Sequence, residues 1–138
     1  MEEKFVKLTK KKLLNVFHEC NEKYFDNNIE IPVKFETWTP DPNTVGWVRN
    51  SWDKKNAKFI TSLHISSYIN WTEENLKNTI LHEMIHLEFK SHLRYIPWWK
   101  KWFVKEHDKK FIQRMNELNE KYNLNIVVEA THLQQFMK

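Results

Sequence analysis

The chain predicts an α+β fold: a small, mostly antiparallel three-stranded sheet packed with one motif-bearing helix and two further helices. Three observations predict it. Apolar residues recur at helical spacing near the start, in the middle and toward the end of the 138 residues. Between the first two helical stretches lie three short runs with strand-like patterning, divided by turn residues. The middle helix carries the string His82-Glu83-Met84-Ile85-His86.

The first helix is expected over residues 8–25, with Thr9 as N-cap and Leu13, Val16, Phe17, Cys20 and Tyr24 on its apolar side. Asp26-Asn27-Asn28 ends it with turn chemistry. Residues 33–39 alternate, with Val33, Phe35 and Thr37 set against Lys34, Glu36 and Trp38, and a Pro-Asp-Pro-Asn turn closes that run. Residues 45–48 form a second strand, 50–56 a polar turn, and 57–65 a third strand. Thr72 reads as the N-cap of the middle helix, with Glu73 and Glu74 placed where acids favour the helix dipole. The period is lost from Lys90, and Pro97 bars continuation. A third helix covers residues 107–122 through Phe111, Ile112, Met115 and Leu118, and the tail adds a short strand at 125–128.

The absence of repeats, of low-complexity tracts and of any glycine besides Gly46 predicts one domain over residues 1–138. Hydrophobic residues at 41% suffice for a core without disulfides. Cys20, the single cysteine, suits a reducing cytoplasm and rules out a four-cysteine zinc ribbon within this sequence. No apolar run approaches the roughly 20 residues that cross a bilayer, and the acidic opening does not read as a signal peptide, so no membrane partner is expected. A net charge of +4 allows DNA contact, but the basic residues are scattered in short runs that read equally as solvated surface.

Chemistry concentrates at residues 82–86. Histidines at i and i+4 share a helical face, so His82 and His86 can hold one zinc ion, Zn2+, from one side. Glu83 stands beside that pair, where it can take a proton from metal-bound water. The pattern points to a zinc-dependent hydrolase. The bland alternative is two ordinary histidines on a helix.

A catalytic zinc needs a third protein ligand. His92 has the metzincin spacing, but the glycine that lets the chain turn back in metzincins is replaced here by Phe89, which resists a positive φ. His107 opens the next helix, and two packed helices can bring it to the metal, which makes it the stronger candidate. Glu88 and Glu106 are acidic alternatives.

Several segments, in order, resemble the SprT-like family of zinc metallopeptidases, which includes proteases that degrade proteins crosslinked to DNA. Phe17 to Asn28 resembles its opening helix, and Val45-Gly46-Trp47 its glycine-containing strand. Phe59 to Ile69 resembles the strand leading to the metal helix, and residues 81–86 that helix itself. His107-Asp108-Lys109-Lys110-Phe111 resembles the family's H-G-x-x-F element, whose histidine is the third zinc ligand. The resemblance runs from Leu8 to Tyr122 and implies a minigluzincin-like metallopeptidase with Glu83 as catalytic base and His82, His86 and His107 as ligands. Its expected partners are a protein or peptide substrate and, through the family's DNA-linked members, DNA. Two departures stand out: Asp108 replaces the usual glycine, and the interval from His86 to His107 is long.

That interval holds Trp98, Trp99 and Trp102 among Lys100, Lys101 and Lys105. Such a mixture can stack on single-stranded bases or grip an unfolded peptide, yet tryptophan is usually buried, and packing beneath the loop is the simpler reading. Trp47 and Trp52 can line a groove where substrate adds to a strand edge. Arg94 and Tyr95 are weak candidates for an oxyanion donor. His18, His64 and His132 lack metal-ligand spacing and read as structural or surface residues. The rival to hydrolysis is a zinc-stabilised nucleic-acid- or protein-binding module, for which a base beside the ligands has no use.

Overall fold

In the computed structural model, residues 4–89 and 108–138 are described. Their order is α1 (Lys10–Tyr24), β1 (Lys34–Glu36), β2 (Gly46–Asp53), β3 (Lys58–Ile65), α2 (Glu73–Glu88), α3 (Lys109–Tyr122) and a 3₁₀ helix at Thr131–Phe136. The class is α+β, as the periodicities predict.

Each long helix begins at a side-chain cap. Thr9 Oγ1 accepts from Lys12 N at 3.0 Å, Thr72 Oγ1 from Asn75 N at 3.1 Å, and Asp108 Oδ1 from Phe111 N at 3.0 Å. Such caps contribute about 1 kcal/mol each. The third helix therefore starts at Lys109 behind Asp108; His107, where the periodicity would begin it, lies outside the described residues. α1 ends where Asp26 and Asn27 take positive φ values of 52° and 61°, which Asp and Asn tolerate better than most residues.

The sheet corrects the expectation of mostly antiparallel strands. Its order is β1-β3-β2, with β2 antiparallel to β3 and β1 parallel to it, so the sheet is mixed. The cause is the route of the chain. After β1 it reverses through the Asp41 turn and lays β2 at the far edge; the β2–β3 hairpin then reverses it again. β3 enters the gap running in the direction of β1.

Strand limits moved for related reasons. β2 continues through Asn50, Ser51 and Trp52, where a polar turn was expected, with Asp53 opposite Lys58. It lies at the sheet edge, where polar residues are tolerated. β1 covers three residues only. Beyond it, the Trp38 carbonyl accepts from His64 Nδ1 at 3.0 Å and Thr39 turns onto Asp41 O at 3.1 Å, so the ladder cannot continue there.

A continuous core joins α1, the sheet, α2 and α3. Leu13 and Phe17 of α1, Leu63 and Ile65 of β3, and Leu76, Ile80, Leu81, Met84 and Ile85 of α2 are fully buried. Burying each such side chain contributes about 1.5–3 kcal/mol. Trp71 closes one end, its indole N–H donating to Ser66 O at 2.8 Å. Phe111, Met115 and Leu118 seat α3 on this core.

The strand expected at residues 125–128 is absent. Instead, Asn119 of α3 holds Ile126 through two hydrogen bonds, Nδ2 to Ile126 O at 2.9 Å and Ile126 N to Oδ1 at 2.8 Å. A side-chain amide thus supplies the donor and acceptor that a neighbouring strand would have supplied. Beyond it, Leu133 is buried and Met137 forms an antiparallel bridge with Ile69. No helix among the described residues is long and apolar enough to cross a membrane.

Candidate metal centre

α2 spans Glu73–Glu88 and so carries residues 82–86 in its last turns. His82 and His86 lie one turn apart, their ring centroids 5.1 Å from each other, and both are half-buried. Phe111, in the first turn of α3, packs against the two of them at 4.9 and 4.5 Å. That contact brings the start of α3 to the histidine pair, while limiting the ways either ring can turn.

His82 Nδ1 lies 2.7 Å from the carbonyl oxygen of Val127. A carbonyl only accepts, so Nδ1 carries a hydrogen, and in the neutral ring the lone pair is then on Nε2. This arrangement fits a metal ligand, since such histidines typically donate their other ring N–H to a carbonyl or carboxylate.

Glu83 is rotated by one residue from His82, toward β2, and is only 6% exposed. The strand approaches α2 closely at Gly46. A β-carbon built there would stand 3.0 Å from Glu83 Oε1 and 3.1 Å from Thr79 Cγ2. The sole glycine of the chain thus makes room for the carboxylate beneath the edge strand.

Of the other ligand candidates, Glu88 is engaged by Arg114, whose Nε lies 2.9 Å from Oε1 and 3.3 Å from Oε2. His107, His92 and Glu106 lie outside the described residues, as do Arg94, Tyr95 and the Trp98–Trp102 stretch. Among the described residues no group of three His, Cys, Asp or Glu side chains could hold a metal ion. His82 and His86 are the two candidate donors that the described residues bring together.

His64 is a core residue. It is 1% exposed, with Nδ1 donating to Trp38 O and Nε2 accepting from Ser62 Oγ at 2.8 Å. Trp38 and Trp47 flank its ring at 4.4 and 4.8 Å, and burial lowers its pKa. His18 and His132 are on the surface. The Cys20 thiol is buried, and that burial pushes its pKa up to about 12, which removes it as a nucleophile. Trp47 is thus tied to His64, whereas Trp52 is half-exposed against Phe59 at 5.0 Å on the edge strand.

Sequence periodicity places Phe111 on an apolar helix face but cannot say that the face meets two histidines. Val127 has no local signal at all, because the group it contributes is a backbone carbonyl. Gly46 stands out as the only glycine, and a close approach is a frequent reason for one in a strand.

A model of the SprT-like family matches residues 13–132. No curated protein matches the chain.

Proposed function

The chain belongs to the SprT-like family, and on that premise we propose that it is a zinc-dependent metallopeptidase that hydrolyses peptide bonds. The observation that carries this reading is the conjunction at the end of α2. Two imidazoles share one face, one of them has its lone pair on Nε2, and a buried carboxylate stands one residue away under the sheet edge.

His82 and His86 would hold the metal, with His107 as the third ligand. The position of His107 one residue before the Asp108 cap supports this, because Phe111 of the same helix start touches both histidine rings. When bound, zinc supplies Lewis acidity, lowering the pKa of water toward neutrality and polarising a carbonyl.

The protein's own groups account for the rest. Nδ1–H of His82 holds that ring in a single tautomer against Val127 O. Phe111 covers both rings and restricts water on that side. Glu83 accepts a proton from the attacking water at a carboxylate oxygen and returns it to the leaving amine nitrogen. β2, an edge strand next to Glu83, supplies backbone groups along which an extended peptide can lie. In this reading residues 1–138 act as one minigluzincin-like catalytic domain in the cytoplasm, and the family's DNA-linked members make DNA-associated proteins the narrower substrate class.

The test compares wild type with Glu83→Gln for zinc content and for cleavage of casein, a DNA-crosslinked protein and a small amide. The variant should keep zinc and fold while losing about 10²–10⁴-fold in rate. Equal performance of the two proteins in every assay would leave a zinc-stabilised binding module instead.

A further inference from the structure

We propose that the C-terminal segment is part of the metal centre: the Val127 carbonyl sets the tautomer and aim of His82, and Asn119 is the positioning residue that holds that carbonyl in place. The inference rests on His82 being a metal ligand, and it concerns what orients that ligand.

The connection is continuous. α3 ends at Asn123, whose φ of 55° turns the chain back, with Leu124 N donating to Asn119 O at 3.1 Å. Asn119 then grips Ile126 by both its N–H and its C=O, and the Ile126 side chain is buried in the core. The next residue, Val127, presents its carbonyl to His82 Nδ1 at 2.7 Å. Asn125 also reaches α2, donating from Nδ2 to Glu74 Oε1 at 3.3 Å.

The far side of the segment is anchored too. Asn70 N donates to Phe136 O at 2.9 Å and Lys138 N to Tyr68 O at 2.8 Å, around the Ile69–Met137 bridge. Val127 thus lies between two fixed points, although the residue is 37% exposed and stands outside the core cluster. A residue so placed is held for its backbone.

The physical consequence concerns His82. In water a neutral imidazole favours the tautomer with hydrogen on Nε2, which is the wrong nitrogen for a ligand that must present Nε2 to a metal. The Val127 carbonyl reverses that preference before any metal arrives. Loss of such an outer partner typically costs about 10–100-fold in metal affinity.

A built-in control exists on α1. Asn21 holds Ile29 by the same pair of bonds, Nδ2 to Ile29 O at 2.9 Å and Ile29 N to Oδ1 at 3.1 Å, but that clamp does not lead to His82. Asn21→Ala and Asn119→Ala therefore remove like hydrogen bonds with unlike connections to the site.

The experiment records long-range nitrogen–proton spectra of the histidine rings in the metal-free full chain at mildly alkaline pH. His82→Ala assigns the signal, and zinc affinity is measured in parallel by chelator competition. Wild type should show His82 with hydrogen on Nδ1. Asn119→Ala should move it toward the Nε2–H form and weaken zinc by about 10–100-fold, while Asn21→Ala changes neither. An Nε2–H or averaged signal in wild type would overturn the proposal without needing any variant. So would an unchanged tautomer in Asn119→Ala, or an equal change in Asn21→Ala. An Nδ1–H tautomer in a wild-type protein that binds no zinc would support the orientation and sink only the peptidase reading.

Discussion

Gly46 and Glu83 are packed so closely that one added methyl group would reach the carboxylate: a β-carbon at position 46 lies 3.0 Å from Oε1 and 3.3 Å from Cγ of Glu83. The edge strand and the motif helix are thereby held at a separation where any larger residue would press on the Glu83 and Thr79 side chains. Both sides of the contact belong to regular elements, so relief must come from the Glu83 and Thr79 side chains or from movement of β2.

Gly46→Ala should therefore impair hydrolysis more than folding. Overpacking of this kind costs about 1–3 kcal/mol in stability. Misplacement of a catalytic group by about 1 Å can lower rate about 100-fold. A melting curve, a zinc assay and kcat for a peptide substrate check this: a small shift in melting temperature, one retained zinc and a fall in kcat of about tenfold or more are expected. Unchanged kcat would show that the close approach is irrelevant to Glu83.

Zinc content separates the ligand candidates. Wild type purified without added metal should carry one zinc per chain. His107→Ala should lose it or hold it weakly, and His92→Ala should keep it. Loss confined to His92→Ala would transfer the third position to the metzincin spacing.

His64 predicts a pH dependence of stability. Burial lowers its pKa below the ordinary 6.5, so the unfolded chain takes up this proton at a higher pH than the folded one. Its contribution is fully present above about 6.5 and declines as pH falls toward the folded pKa. Denaturant unfolding of wild type should weaken through that window. His64→Gln, less stable at neutral pH because the Ser62 and Trp38 bonds are disturbed, should show a shallower decline. Parallel slopes would remove His64 as the cause.

Cys20 should resist thiol reagents while the protein is folded. With the thiol buried and its pKa pushed up to about 12, thiolate is scarce at neutral pH. Labelling by a maleimide should proceed at the rate of opening and accelerate in denaturant. Rapid labelling of the native protein would contradict the burial.

The helices, their caps at Thr9 and Thr72, and the His82-Glu83-His86 constellation were legible in the sequence because all are local. A cap needs one side chain and a backbone three residues on, and a histidine pair needs only the 3.6-residue period. The three-strand count was legible from patterning for the same reason. Strand order was not: a parallel β1–β3 pair and the extension of β2 to Asp53 depend on which edge each strand occupies, and alternation carries no record of that.

The candidate metal centre divides along the same line. Residue type and spacing alone singled out His82 and His86 as candidate ligands and Glu83 as candidate base. Tertiary structure decided what orients them: Phe111 against both rings, Gly46 over Glu83, and a carbonyl from a tail whose role no pattern reveals. The reason is physical. Val127 acts through a peptide oxygen that every residue possesses, so its placement beside His82, 45 positions away, is written only in the packing of Ile126 and the grip of Asn119.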